Sequence, residues 1–147
     1  MAILAGQIVT AGQLNRLRPS TYFAQCSSAL TKSDTTNVDI TGATVTFSTT
    51  AANAEYAVYA VFDCAVGTSS ASTRMLGRIV TDGSAEPGFG IHEMDNLDRD
   101  TVSAVAKGTL AAAGSHTIKL QGALSAAAGS GTFQTFTFLM VTVTEVP

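Results

Sequence analysis

The chain has 147 residues, of which 46% are hydrophobic and only 13% charged, with a formal net charge of −3. That length is one domain's worth and can bury a core without staples. The charge balance excludes a surface built to hold a phosphate backbone: the eight cations (Arg16, Arg18, Lys32, Arg74, Arg78, Arg99, Lys107, Lys119) are scattered, and the Lys and Arg total of 8 is outweighed by 11 acids. No run of about 18 apolar residues offers a membrane span, and no export signal is legible. Charged usage well below the typical value of about 25% leaves little to keep copies apart.

In chain order, the first feature is an apolar hook, Ile3, Leu4, Ile8 and Val9, followed by a candidate helix from Thr10 to Leu17. Thr10 and Gln13 have the spacing of a capping box. Leu14 and Leu17 share one helical face, and Pro19 stops the helix at Arg18. Two turns are not stable alone, so this element must pack on something. Residues 1–19 are therefore read as a docking segment and 20–147 as a β domain.

Strand and turn patterns follow. "TYFAQCSSAL" (21–30) is a strand and "KSDTTN" (32–37) a polar turn. "VDITGATVTFSTT" (38–50) reads as two short strands broken at Thr41-Gly42, with Val45 and Phe47 alternating against Thr44, Thr46 and Ser48. "EYAVYAVFDCAV" (55–66) is the strongest strand. Tyr56, Val58, Ala60, Phe62 and Cys64 form one face; Ala57, Tyr59, Val61 and Ala65 form the other. Both are apolar, interrupted by Asp63. "TRMLGRIVTDG" (73–83) is a strand closed by an Asp-Gly turn. "IHEMDNLDRD" (91–100) is the most polar segment. "TVSAVAKGTL" (101–110) and "HTIKLQGAL" (116–124) are strands. The last, "FQTFTFLMVTVTEV" (133–146), sets Phe136, Phe138 and Met140 on one face and Leu139, Val141 and Val143 on the other. About eight strands with Gly-rich turns predict an all-β fold, a jelly-roll-like antiparallel β-sandwich with a short N-terminal helix.

Two strands apolar on both faces carry a further expectation. One face fills the core, and the other leaves a patch that a monomer does not tolerate. A symmetric homo-oligomer covers it most simply, with Tyr59, Val61, Phe136 and Phe138 near the contact.

Residues that could carry chemistry are few. Cys26 and Cys64 lack CxxC spacing and read as buried free thiols. His92, Glu93, Asp95, Asp98 and Asp100 cluster, but without the glycine bend and terminal Glu of a calcium loop they read as a solvated segment. His116 has no paired ligand, and no serine sits in GxSxG. Neither Gly-rich stretch matches a phosphate-binding loop. No catalytic residue, metal or cofactor is expected. The absence of Trp weakens a sugar platform on Tyr22, Tyr56 and Tyr59.

"AGQIVTAGQLNRLRP" resembles an N-terminal element of tailed-phage structural proteins, in which an aG-x-x-(V/I)-T-A-x-x-L-N stretch precedes the body. Ala5, Gly6, Ile8 to Ala11, Leu14 and Asn15 carry it here. The stretches "ANAEYAVYAVFDC", "TVSAVAKGTLAAAGSHTIKLQ" and "FTFLMVTVTEV" are similar to small actinobacteriophage virion proteins with trimeric jelly rolls of the tumour-necrosis-factor type. The resemblance implies a virion structural protein, a capsid decoration protein that binds and stabilises the major capsid lattice as a homotrimer. Ile3, Leu4, Ile8, Val9, Leu14 and Leu17 would dock on the capsid or on a neighbouring copy. The runner-up reading is a tail-tip or fibre knob that binds a host-surface glycan through loops 67–72, 84–100 and 125–132. An enzyme such as a depolymerase would need paired carboxylates, for which Glu93, Asp95, Asp98 and Asp100 are the only candidates.

Overall fold

The computed structural model describes residues 10–12 and 18–145. The expected helix over Thr10–Leu17 is not shown, because residues 13–17 lie outside the described residues. So do all six expected docking residues, Ile3, Leu4, Ile8, Val9, Leu14 and Leu17.

Eleven strands form among the described residues: β1 (Ser20–Gln25), β2 (Leu30–Lys32), β3 (Val38–Thr49), β4 (Ala54–Thr68), β5 (Arg74–Thr81), β6 (Ser84–Ala85), β7 (Gly90–Glu93), β8 (Arg99–Leu110), β9 (Gly114–Leu124), β10 (Ser130–Phe133) and β11 (Phe138–Thr144). They build two antiparallel sheets. In the first, β8 runs along one edge of β4, and β11 and β10 share the other edge; β1 then pairs β11 and β2 pairs β10. In the second, the order is β3-β9-β5, with β6 and β7 both on β5.

Setting aside the short strands β2, β6 and β10 leaves eight. The first of these pairs with the last, the second with the seventh, the third with the sixth and the fourth with the fifth: β1 with β11, β3 with β9, β4 with β8, and β5 with β7. That is a long hairpin rolled up, the jelly roll expected from strand number and spacing.

Local chemistry explains where the strand boundaries differ from the expectation. β3 is one strand, not two. Its pairing with β9 jumps between Asp39 and Thr44, a bulge in which Gly42 adopts a φ of +86°. A Cβ on Gly42 would lie 2.7 Å from the Gln25 carbonyl and the Ser27 amide, so only glycine fits. The closing strand is the reverse case. It is broken into β10 and β11 by a bend at 134–137, where the Thr137 amide donates to the Gln134 carbonyl at 3.0 Å. Phe136 therefore sits in a bend and not on the strand with Phe138 and Met140. At the β5–β6 tip, Asp82 and Gly83 are both left-handed (φ 47° and 84°), as a two-residue hairpin requires.

The core lies between the sheets. Tyr56, Val58, Ala60, Phe62 and Cys64 of β4 all point inward and are buried, as their alternation predicts. Facing them, Gly90, Gly77 and Gly122 are cross-strand partners in one row over β7, β5 and β9. A Cβ at Gly77 would come within 2.4 Å of Phe62, and one at Gly122 within 2.4 Å of Phe133. The row is a trough that admits two rings, which meet edge to face at 6.1 Å.

Candidate functional site

The outward face of the first sheet carries an apolar belt. Phe23 pairs with Met140, Met140 with Tyr59, and Tyr59 with Val105, so four side chains form one row across β1, β11, β4 and β8. They are 59%, 41%, 42% and 69% exposed. The adjacent row adds Phe138 and Val61, both half-buried. Phe138 lies 5.5 Å from the ring of Phe23 and 6.3 Å from that of Tyr59. Beside the belt a shallow concavity of about 430 Å³ is lined by Ala57, Tyr59, Val105, Lys107, Met140 and Thr142.

The outward face of the second sheet is built differently at its centre. Arg78, Gln121 and Asp39 form a cross-strand row. Arg78 donates twice to Gln121 Oε1 (3.0 and 2.8 Å), Gln121 Nε2 donates to Asp39 Oδ1 (2.6 Å), and Lys119 Nζ reaches Asp39 Oδ2 at 2.7 Å. The hydrogen bond from Lys119, with that from Gln121, holds the Asp39 carboxyl below the usual carboxylate range. One sheet thus presents a polar ladder suited to water, and the other an apolar row.

Two features flank the belt. The sandwich is open along β8, whose inward residues Val102, Ala104 and Ala106 are only half-buried. At the rim, Glu55 and Lys107 carry opposite charges, and neither has an ion-pair partner among the described residues.

Of the expected contact residues, Tyr59, Val61 and Phe138 lie on this face. Phe136 lies beyond its end, where the Arg99 guanidinium sits 5.7 Å from its ring centre. Sequence reasoning missed why Asp63 interrupts β4: its buried carboxylate takes two hydrogen bonds from Arg99, at 2.8 and 2.6 Å. Those bonds raise the Arg99 pKa. Sequence reasoning also missed Phe23, Met140 and Val105, because their alignment depends on register between strands far apart in the chain.

Several other titratable groups serve the fold. Cys26 and Cys64 are free and buried. Burial pushes the Cys64 thiol up to about 12. His92 pairs with Asp98 at 3.1 Å, and His116 Nδ1 with Asp82 Oδ2 at 2.7 Å. Among the described residues no three His, Cys, Asp or Glu side chains gather as metal ligands would, and no helix is long and apolar enough to cross a membrane.

No family model and no curated protein matches the chain. Several solved structures are similar to it. It is a jelly roll. The tripod (BppUct-A-L) from the baseplate of bacteriophage Tuc2009 is similar over 99% of this chain and 73% of its own, with a TM-score of 0.50 and 12% identity. Murine APRIL is similar over 85% of this chain and 98% of its own, with a TM-score of 0.46 and 14% identity. The dimeric latent PorU of Porphyromonas gingivalis is similar over 85% of this chain, with a TM-score of 0.49 and 9% identity; this chain spans 12% of that protein's length. At 12% identity the likeness to the tripod is one of fold.

Proposed function

We propose that this protein is a non-catalytic structural component of a phage virion that assembles as a homotrimer through the outer face of its first sheet. The observation that carries the reading is the exposed row Phe23–Met140–Tyr59–Val105, set against a second sheet whose centre is polar. Covering such a row removes apolar area from water, and each large side chain so buried contributes on the order of 1.5–3 kcal/mol when the burial is complete. The occupant that fits is another copy. The open β8 edge, with Val102, Ala104 and Ala106 half-exposed, supplies the apolar counterpart, and Glu55 and Lys107 supply opposite charges at the rim. An edge laid on a face is a heterologous contact, which makes a closed trimer when each copy is rotated by a third of a turn from the last.

In the virion, residues 2–18 dock on the major capsid protein and the jelly roll decorates the shell. Each bound copy adds interface that exists only in the assembled lattice, so it stabilises by linkage. The test is to mix the protein with capsids that lack it. Saturable binding by the full chain, lost on deletion of residues 2–18 with the β fold retained, is the expected result. Full occupancy by the deleted chain contradicts the docking role.

A second reading, a tail-tip or fibre knob that binds a host-surface glycan, is favoured by one observation. A polar concavity with an exposed aromatic ring, at Phe136 and Arg99, lies off the belt. The tripod of Tuc2009 is a baseplate component, which is the kind of location this reading takes.

A further inference from the structure

The concavity beyond the end of the belt has a volume of about 400 Å³ and is lined by Asp63, Arg99, Asp100, Thr101 and Phe136. We propose that it is a binding site for a neutral pyranose sugar. The proposal deepens the second reading and rests on it, not on the trimer.

Phe136 is 65% exposed although it sits in a rigid bend. The Thr137 amide holds the Gln134 carbonyl, Gln25 Nε2 donates to the Thr135 carbonyl at 2.8 Å, and the Asp63 amide donates to the buried Thr137 hydroxyl at 3.0 Å. The bend thus fixes an aromatic ring in solvent, which costs apolar exposure and serves no core. A fixed ring offers a flat apolar surface to the C–H face of a sugar at little ordering cost.

The polar groups beside it are pre-set as well. Arg99 spends one N–H of Nε and one of Nη2 on Asp63. A guanidinium has five such donors, so three remain, and the side chain is half exposed. The Thr101 hydroxyl, cross-strand from Asp63 on the same face of the sheet, has no hydrogen-bond partner among the described residues and supplies an acceptor beside those donors. Donors and acceptors on one wall, next to an aromatic face, suit vicinal hydroxyls.

Charge gives acidic ligands no advantage. Asp63 neutralises Arg99, and Asp100, cross-strand from the inward Cys64, lies on the other face of β8. A carboxylated or phosphorylated sugar therefore gains no net attraction that a neutral one lacks.

The experiment is ligand-observed NMR on the full chain with a panel of neutral methyl pyranosides (glucoside, galactoside, mannoside and N-acetylglucosaminide) and with N-acetylneuraminic acid. At least one neutral pyranoside is expected to bind. Phe136→Ala should weaken it about tenfold or more, and Thr101→Val should weaken it less. Both variants should keep the dispersed amide spectrum and the mass of the parent. Failure of the whole neutral panel, unchanged binding by Phe136→Ala, or binding of the acidic sugar alone overturns the site. Solution mass is read on the same samples, so loss of the trimer is seen separately from loss of the site.

Discussion

Phe62 and Phe133 reach across the sandwich because three glycines stand opposite them. Gly77, Gly90 and Gly122 lie side by side on β5, β7 and β9, and the rings occupy the space their side chains would fill. Gly77→Ala forces a methyl group to within 2.4 Å of the Phe62 ring. Overpacking of this kind costs about 1–3 kcal/mol, which a urea titration of the variant should read as a lower midpoint with an unchanged slope. Joined with Phe62→Leu in one chain, the glycine substitution should cost less than the sum of the two, because the clash then has less to press against. Cys64 lies in the same core. Its thiol is pushed up to about 12 by burial and by the nearby Asp63. Ellman's reagent at pH 8 should leave it unmodified in the native protein and label it on unfolding; prompt native labelling would mean that the sandwich opens at β4.

At the scale of elements, the start of β9 is tied to the β5–β6 tip by one carboxylate. Asp82 accepts from the Thr117 amide at 2.8 Å and from His116 at 2.7 Å. Burial works to raise the Asp82 pKa, but the hydrogen bonds from His116 and Thr117 outweigh it and the net shift is downward. A carboxyl lowered on folding stabilises above its ordinary pKa, and that contribution is lost as pH falls through the folded value. The melting temperature should therefore fall modestly below about pH 4. Asp82→Asn, less stable at pH 7, should show a smaller drop; an equal drop would place the acid sensitivity elsewhere. The sequence made the strands themselves legible where one period ran unbroken. The alternation of Tyr56 to Cys64 named the core face of β4 because period and burial coincide. The same logic failed at the end of the chain: Phe136, Phe138 and Met140 alternate with Leu139, Val141 and Val143 as one strand would, while the bend at 134–137 is set by Thr137 meeting Asp63, a contact 74 residues apart in sequence. The glycine row and the belt were illegible for the same reason, since both are read across strands and not along them. The break expected at Gly42 was correctly located as an irregularity, but the chain absorbs it as a bulge within β3.

For the whole molecule, the account turns on the difference between its two outer faces. The second sheet's centre is closed by Arg78, Gln121, Asp39 and Lys119, and the first sheet offers Phe23, Met140, Tyr59 and Val105. A low charge count and a continuous apolar row favour association, and the open β8 edge gives the row something to meet. Met140→Asp places a charge in the middle of that row, at a position exposed in the single chain. It should therefore leave the fold and its melting nearly unchanged in dilute solution while breaking the assembly. The most direct measurement is the mass of the purified protein by light scattering after size exclusion, with Met140→Asp run beside it. The account predicts three times the chain mass of 15.1 kDa for the parent and a single chain mass for the variant. A parent that elutes as one chain at every concentration, with the belt left in water, would contradict it.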